Sequence, residues 1–245
     1  MLVVGLAGLA GAGKDTLAKL YASRSTKECS IIHFADTLKD LCHDLVGWDG
    51  YPPDNMKQTP IETELIGSGI NNKNMLKIQR KYIVATFTSH LSRVCSKKNI
   101  LQMVDNFYEI ILKNKEYCSA KTGHFLVISP RRLYQLVGTD CCRAVQSTVW
   151  VDDIRQTLEE MRLSQGHDIV FIPDVRFDDE ASVCDLLGWV ERDADNLRKV
   201  DSHKSEQSLS KNMIDFTLHN KENDLDLACG ELTVHIFAKA FTEAK

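Results

Sequence analysis

Residues 8–16 read Gly-Leu-Ala-Gly-Ala-Gly-Lys-Asp-Thr. From Gly8 to Lys14 the spacing is G-x-x-x-x-G-K, directly after the apolar run of residues 1–7. The chemistry such a loop can do is to hold phosphate. Backbone N–H groups must turn inward around phosphate oxygens, so the turn needs residues that tolerate unusual dihedrals and crowd nothing. Gly8, Gly11 and Gly13 meet that need. A helix starting at Lys14 would offer its positive end to the same anion. The Lys14 ammonium would then reach the outer phosphates as a point charge. Ala10, Gly11, Gly13, Lys14, Asp15 and Thr16 are the expected nucleotide-phosphate residues.

Asp15 narrows the choice. In GTPases and most ATPases that position is a hydroxyl bound to magnesium. Here the hydroxyl comes one step later, at Thr16. The loop is in this respect similar to that of nucleoside monophosphate kinases such as adenylate kinase, which read G-K-x-T. In those enzymes the threonine contacts ATP phosphate, and magnesium is held largely through water. A guanine-reading N-K-x-D is approached by Asn220, Lys221 and Asp224, but the gap is one residue too long. No D-x-x-G follows Asp174, so a switch GTPase is excluded on both counts.

Two further clusters could act on anions. Ser129-Pro130-Arg131-Arg132 places two arginines in the first turn of a helix capped by Ser129, with Pro130 at its first position. Cations there oppose the helix dipole, which makes the pair a seat for phosphate or, failing that, a solvated surface pair. Asp174 ends a strong strand pattern, with Arg176 and Glu180 close behind. Asp174 could hold magnesium-bound water or orient an arginine; a capping Asp174 with an Arg176–Glu180 pair is the structural alternative. Trp150 could stack on a base or pack in the core.

These residues need a scaffold. Strands are expected at 2–7, 30–35, 124–129, 167–177, 189–194 and 215–220. Helices are expected from residue 14, at 36–46 capped by Asp36, and at 75–95, 100–113, 129–145 and 150–163. Further helices are expected at 178–188, stopped by Gly188, and at 231–243. The alternation predicts an α/β fold of the P-loop NTPase type: three layers around a mainly parallel sheet, with a helical insertion covering the active site. The kinase-like core would be 1–46 and 124–245. Residues 47–123, where no strand is evident, would form the insertion, a lid and substrate-binding region.

The 245 residues carry a formal net charge of -4, with 43% hydrophobic and 26% charged residues. Such a chain is a poor binder of long nucleic acid. No apolar stretch is long enough to span a bilayer. The eight cysteines show neither zinc spacing nor a disulfide framework, so reduced thiols in a cytoplasm are expected. The oligomeric state is open, with a homodimer among the expectations.

Taken together, "GAGKDT", "ADTLKD", "RRLYQLVGTD", "IPDVRFDDE" and "SHKSE" occur in the order of the phage-type deoxynucleoside monophosphate kinases, which the chain resembles from Gly8 to Glu206. The resemblance implies transfer of the ATP γ-phosphoryl group to a deoxynucleoside 5′-monophosphate with Mg2+, in the cytoplasm, or the host cytoplasm for a viral protein. It puts Gly11, Gly13, Lys14, Asp15 and Thr16 on the ATP loop and Leu38 and Lys39 at the monophosphate. Arg131, Gly138, Thr139 and Trp150 fall near the substrate, and Asp174, Arg176 and Glu180 near the nucleotides. Arg132 joins the substrate group as the neighbour of Arg131. Lys14, Arg131, Asp174 and Arg176 are the catalytic candidates, and Thr16 or Asp174 would meet the metal through water. Where the family can carry basic residues in the loop, this chain has Leu9, Ala10 and Ala12. The rivals are another small-molecule P-loop kinase of the dephospho-coenzyme A kinase kind and a non-catalytic ATP-binding module.

Overall fold

A computed structural model describes residues 1–48, 56–64, 75–113, 125–164, 166–192, 209–220 and 225–243. The chain forms two compact units, Met1–Phe34 with Ile154–Lys245, and Ala35–Asp153.

The first unit is built on a five-stranded parallel sheet. Its strands are β1 (Leu2–Ala7), β2 (Cys29–Ile31), β5 (Ile169–Val175), β6 (Leu186–Arg192) and β7 (Phe216–Asn220), in the order β2-β5-β1-β6-β7. Every residue of β1 is buried, as a central strand of a parallel sheet requires. Its register pairs Ala7 with Val175 on one side and with Trp189 on the other. Helices α1 (Lys14–Arg24) and α8 (Leu225–Glu243) pack with it through Leu17, Ala18, Tyr21, Ala228, Cys229, Leu232 and Ile236. This is the expected α/β fold with flanking helices. Ligands of such sheets bind beyond the carboxyl ends of the strands, where the loop after β1 lies.

The second unit is mainly helical: α2 (Asp36–Val46), α3 (Met75–Leu91), α4 (Lys97–Lys113), α5 (Pro130–Gln135) and a π-helix, Leu136–Arg143. Its core includes Leu41, Leu45, Ile83, Phe87, Met103, Phe107, Leu133 and Leu136. The described residues of 47–123 thus belong to one unit with 35–46 and 125–153. Helix α6 (Val149–Leu163) begins in this unit.

Four local expectations change. The strand at 124–129 forms as β4 (Phe125–Ile128), but it pairs antiparallel with β3 (Ile61–Glu64) in a separate two-stranded sheet. β3 has only four residues and no apolar run, so its pattern is silent in the sequence. Ala35, not Asp36, is the N-cap of α2; Asp36 sits in the first turn, 3.6 Å from Lys39. The helix at 178–188 is only α7 (Asp178–Ala181). Gly188 lies inside β6, where a Cβ would meet the Phe216 ring at 2.6 Å; it makes room for a neighbouring strand rather than stopping a helix.

Candidate active site

The phosphate loop is held in a shape that glycine permits. Gly8 has φ +140°, and a Cβ there would run into the Val190 carbonyl oxygen. Gly13, the N-cap of α1, has φ 95° and ψ 14°. Side chains at either position would be strained or blocked. Lys14 Nζ donates to Gly8 O at 2.8 Å and to Leu9 O at 3.0 Å, so the ammonium lies folded over the start of the loop.

Two residues missed by the sequence reading brace the loop from the ends of neighbouring strands. An Arg192 guanidinium N–H donates to Gly11 O at 2.7 Å, and Asn220 Nδ2 donates to Ala12 O at 2.9 Å. Arg192 and Asn220 are register partners across β6 and β7. In a trans peptide the carbonyl and the next N–H point opposite ways. Anchoring Ala12 O therefore sets the direction of the Gly13 N–H. The Gly11–Ala12 peptide is fixed on both sides, because Ala12 N also donates to Leu9 O at 3.1 Å. Arg192 brings positive charge to the loop as well. In the sequence Asn220 stands only in the off-spaced guanine-reading pattern; its buried place, 3% exposed, fits the brace. Asn220→Ala should leave Ala12 O unpaired, lowering stability by about 1–3 kcal/mol and raising the KM for the nucleotide donor more than that for the acceptor. A melting curve and two substrate titrations check this; equal rises in both constants would contradict a loop-specific role.

Asp15 has a partner in the same unit. His33 Nε2 lies 2.8 Å from Asp15 Oδ1, on the segment that follows β2. The hydrogen bond from His33 is the largest cause holding the Asp15 carboxyl below its ordinary range; partial burial opposes it, and the charges of His33, Lys14 and Lys19 add to it. The folded value is depressed, so the pair's contribution to stability is present above the unfolded carboxylate value of about 3.9. It is lost as pH falls through the lower folded value. The Asp15 carboxylate is half exposed, so solvent screens the pair. His33→Ala should raise the Asp15 pKa toward the ordinary carboxylate value. A carboxyl-carbon NMR titration reads it, and an unmoved midpoint would remove His33 as the cause.

Asp174 is the penultimate residue of β5, which pairs with β1, and its Oδ1 accepts from Phe34 N at 3.0 Å. Arg176 is exposed. Glu180 is buried, 4% exposed, and its Oε2 accepts from Arg176 N at 2.8 Å and Phe177 N at 3.3 Å. Its carboxylate thus caps the start of α7 through backbone N–H groups.

The second unit holds the other candidates. Ser129 Oγ accepts from Arg132 N at 3.3 Å and Pro130 is at the first turn, as the cap pattern implies. Arg131 N donates to Lys57 O at 2.9 Å. The Arg132 guanidinium lies 3.5 Å from Asp140 of the "GTD" segment. That segment lies in the π-helix, a rare wide turn frequently found at functional sites. Thr139 and Asp140 are exposed on it. Leu38, Gly138 and Trp150 come together: a Cβ on Gly138 would meet Leu38 Cδ2 at 2.6 Å, and Trp150 Nε1 donates to Gly138 O at 3.2 Å. Trp150 is 4% exposed, so it packs in the core and positions the wide turn. The "SHKSE" motif, Lys221 and Asp224 lie outside the described residues.

Among the described residues no group of three or more His, Cys, Asp or Glu could hold a metal ion, and no helix is long and apolar enough to cross a membrane.

A family model described as deoxynucleotide monophosphate kinase matches residues 2–228. No curated protein matches the chain in sequence. The match spans the phosphate loop, the arginine-headed helix with its π-turn and the Asp174 strand. The chain therefore belongs to the deoxynucleotide monophosphate kinase family and is a phosphotransferase that acts on deoxynucleoside monophosphates.

Proposed function

We propose that residues 8–16 bind the phosphates of ATP and that the γ-phosphoryl group passes from there to a deoxynucleoside 5′-monophosphate. The observation that carries this reading is the braced loop. Its glycines, its Lys14 ammonium and the carbonyl anchors Arg192 and Asn220 make a built seat for a polyphosphate. Such transfers need little covalent chemistry from the protein, so positioning and cationic charge are its tools. A monophosphate oxygen forms the new bond to the γ-phosphorus while the bond from that phosphorus to the β-bridging oxygen breaks. Lys14 leaves the loop carbonyls to meet the transferred group. Arg131 and Arg176 clamp the anions, and Arg132 supports from its place beside Asp140. Leu38, Gly138 and Trp150 shape the acceptor side; Lys39 and Thr139 meet the acceptor there.

Mg2+ would come with ATP. The donor set suits a metal held mostly by phosphates and water: the Thr16 hydroxyl is exposed, and Asp174 uses Oδ1 for Phe34 N. Thr16, and Asp174 through water, would hold the ion, which would supply positive charge against the phosphates. Residues 47–123 belong to this reading as a cover that excludes water from the transfer. The enzyme works in a cytoplasm, binds neither long nucleic acid nor membrane, and assembles as a homodimer.

Terminally labelled ATP tests the reading. The label should move to a deoxynucleoside diphosphate, with ADP as the other product. Label appearing only in a phosphorylated dephospho-coenzyme A, or ATP bound without transfer to any acceptor, would replace it with one of the rivals.

A further inference from the structure

Helix α6 opens with two acids that do different things. Asp152 is partnered by near neighbours: its Oδ2 accepts from Thr148 Oγ1 at 2.7 Å and from Gln146 Nε2 at 3.0 Å. Asp153, next in the chain, is 3% exposed. Its Oδ2 accepts from Thr37 Oγ1 at 2.7 Å, in the first turn of α2. Its Oδ1 accepts from Arg93 Nε at 2.8 Å and lies 2.7 Å from Arg93 Nη2, in the turn between α3 and α4. All three residues belong to the second unit. A carboxylate buried with a guanidinium is an expensive way to hold helices together. Apolar side chains of similar volume commonly do it as well or better, whereas the ionic group fixes one geometry. What Asp153 fixes is the start of α2.

We propose that Asp153 is a positioning residue for the acceptor monophosphate, acting through its Thr37 hydrogen bond on Leu38 and Lys39. The proposal rests on the acceptor-side reading above and deepens it. Trp150 and Asp153 stand three residues apart at the start of α6, so they share a face of that helix. Trp150 Nε1 donates to Gly138 O at 3.2 Å. Gly138 faces Leu38, whose Cδ2 lies 2.6 Å from where a glycine Cβ would stand. Leu38 follows Thr37, and Thr37 returns to Asp153. The start of α6 thus holds both sides of the Leu38–Gly138 contact, each by a hydrogen bond, and Arg93 compensates the charge that one of them needs. The tie has direction as well as strength. A β-branched side chain is stiff at its first torsion, so the Thr37–Asp153 bond sets the rotation of the first turn of α2 about its axis. Leu38 is kept on Gly138, and Lys39 points about 100° further round. The N-cap of α2 is Ala35, which has no side chain that could cap the helix. Without the Thr37 bond this turn is free to fray, and the acceptor wall loosens. The phosphate loop belongs to the other unit and keeps its own braces.

Steady-state kinetics of the full chain with MgATP and a deoxynucleoside monophosphate tests this. Thr37→Val keeps the side-chain shape and deletes the hydroxyl. It should raise the KM for the monophosphate roughly 10-fold, short of the ~100-fold that a misplacement of about 1 Å can cost, and leave the KM for ATP unchanged. Thr37→Ser restores the donor and should restore the KM. Asp153→Asn should raise the same constant, and the double variant should fall well short of the product of the two single effects, because both break one bond. Phe87→Leu loosens the core of the same unit without touching these contacts; it should lower the melting temperature and leave the monophosphate KM unmoved. An unmoved monophosphate KM in Thr37→Val, an equal rise in both constants, no rescue by Thr37→Ser, fully multiplicative effects in the double variant, or the same KM rise in Phe87→Leu would each overturn the positioning role. An unsubstituted chain that transfers phosphate to no monophosphate would instead overturn the acceptor reading, and this role with it.

Discussion

Lys14→Ala should lower kcat by about 100- to 1000-fold, the cost of removing one positioned donor from a developing charge. The melting curve should stay close to that of the unsubstituted chain. The structure separates these two effects. Lys14 Nζ donates to two loop carbonyls, Gly8 O and Leu9 O, and lies outside the apolar core of the sheet. Water can replace it there, so stability should be little changed. In the transition state the same ammonium meets charge that is absent from the ground state, which is why the loss falls on kcat. Single-turnover kinetics with saturating ATP checks this. A variant with normal kcat and normal melting would remove Lys14 from the chemistry.

Arg131→Ala should raise the KM for the monophosphate and lower kcat, with ATP affinity nearly unchanged. The combined loss in kcat/KM should be roughly 2–4 kcal/mol, the cost of a charge-assisted contact to phosphate. Two cations in the first turn of α5 oppose the helix dipole, a cost that a bound anion reverses. Successive helical residues point about 100° apart, so the two arginines serve different directions. Arg132 already lies 3.5 Å from Asp140 and should therefore matter less. Steady-state titration of each substrate against the other, for both single variants, decides the matter. A rise in the ATP constant alone would move Arg131 to the donor side, and no change in either variant would make the pair ordinary surface charge.

The sequence made the loop legible because glycine and lysine at fixed spacing answer a local geometric need. It also made β1, α2 and the Ser129 cap legible, since periodicity and capping are local signals. What it hid is set by distance along the chain. The braces on the loop join residues 181 and 208 positions apart, so neither Arg192 nor Asn220 could be linked to it by pattern. The π-helix is hidden for another reason: helices are read from apolar residues three and four apart, whereas here Leu136 with Cys141 and Val137 with Cys142 are buried five apart. Glu180 shows a third case. Spacing offers Arg176 as a side-chain partner, and only the folded chain shows that the carboxylate accepts from the Arg176 and Phe177 N–H groups. Trp150 offered two uses, and only the three-dimensional packing against Gly138 chose between them.

The most direct measurement is ADP release from MgATP, followed with each deoxynucleoside monophosphate and each ribonucleoside monophosphate in turn. At least one deoxynucleoside monophosphate should accelerate ADP formation far above the rate without acceptor, and the acceleration should vanish with Lys14→Ala. ADP appearing at one rate with and without every monophosphate would contradict phosphoryl transfer from this loop to a deoxynucleotide.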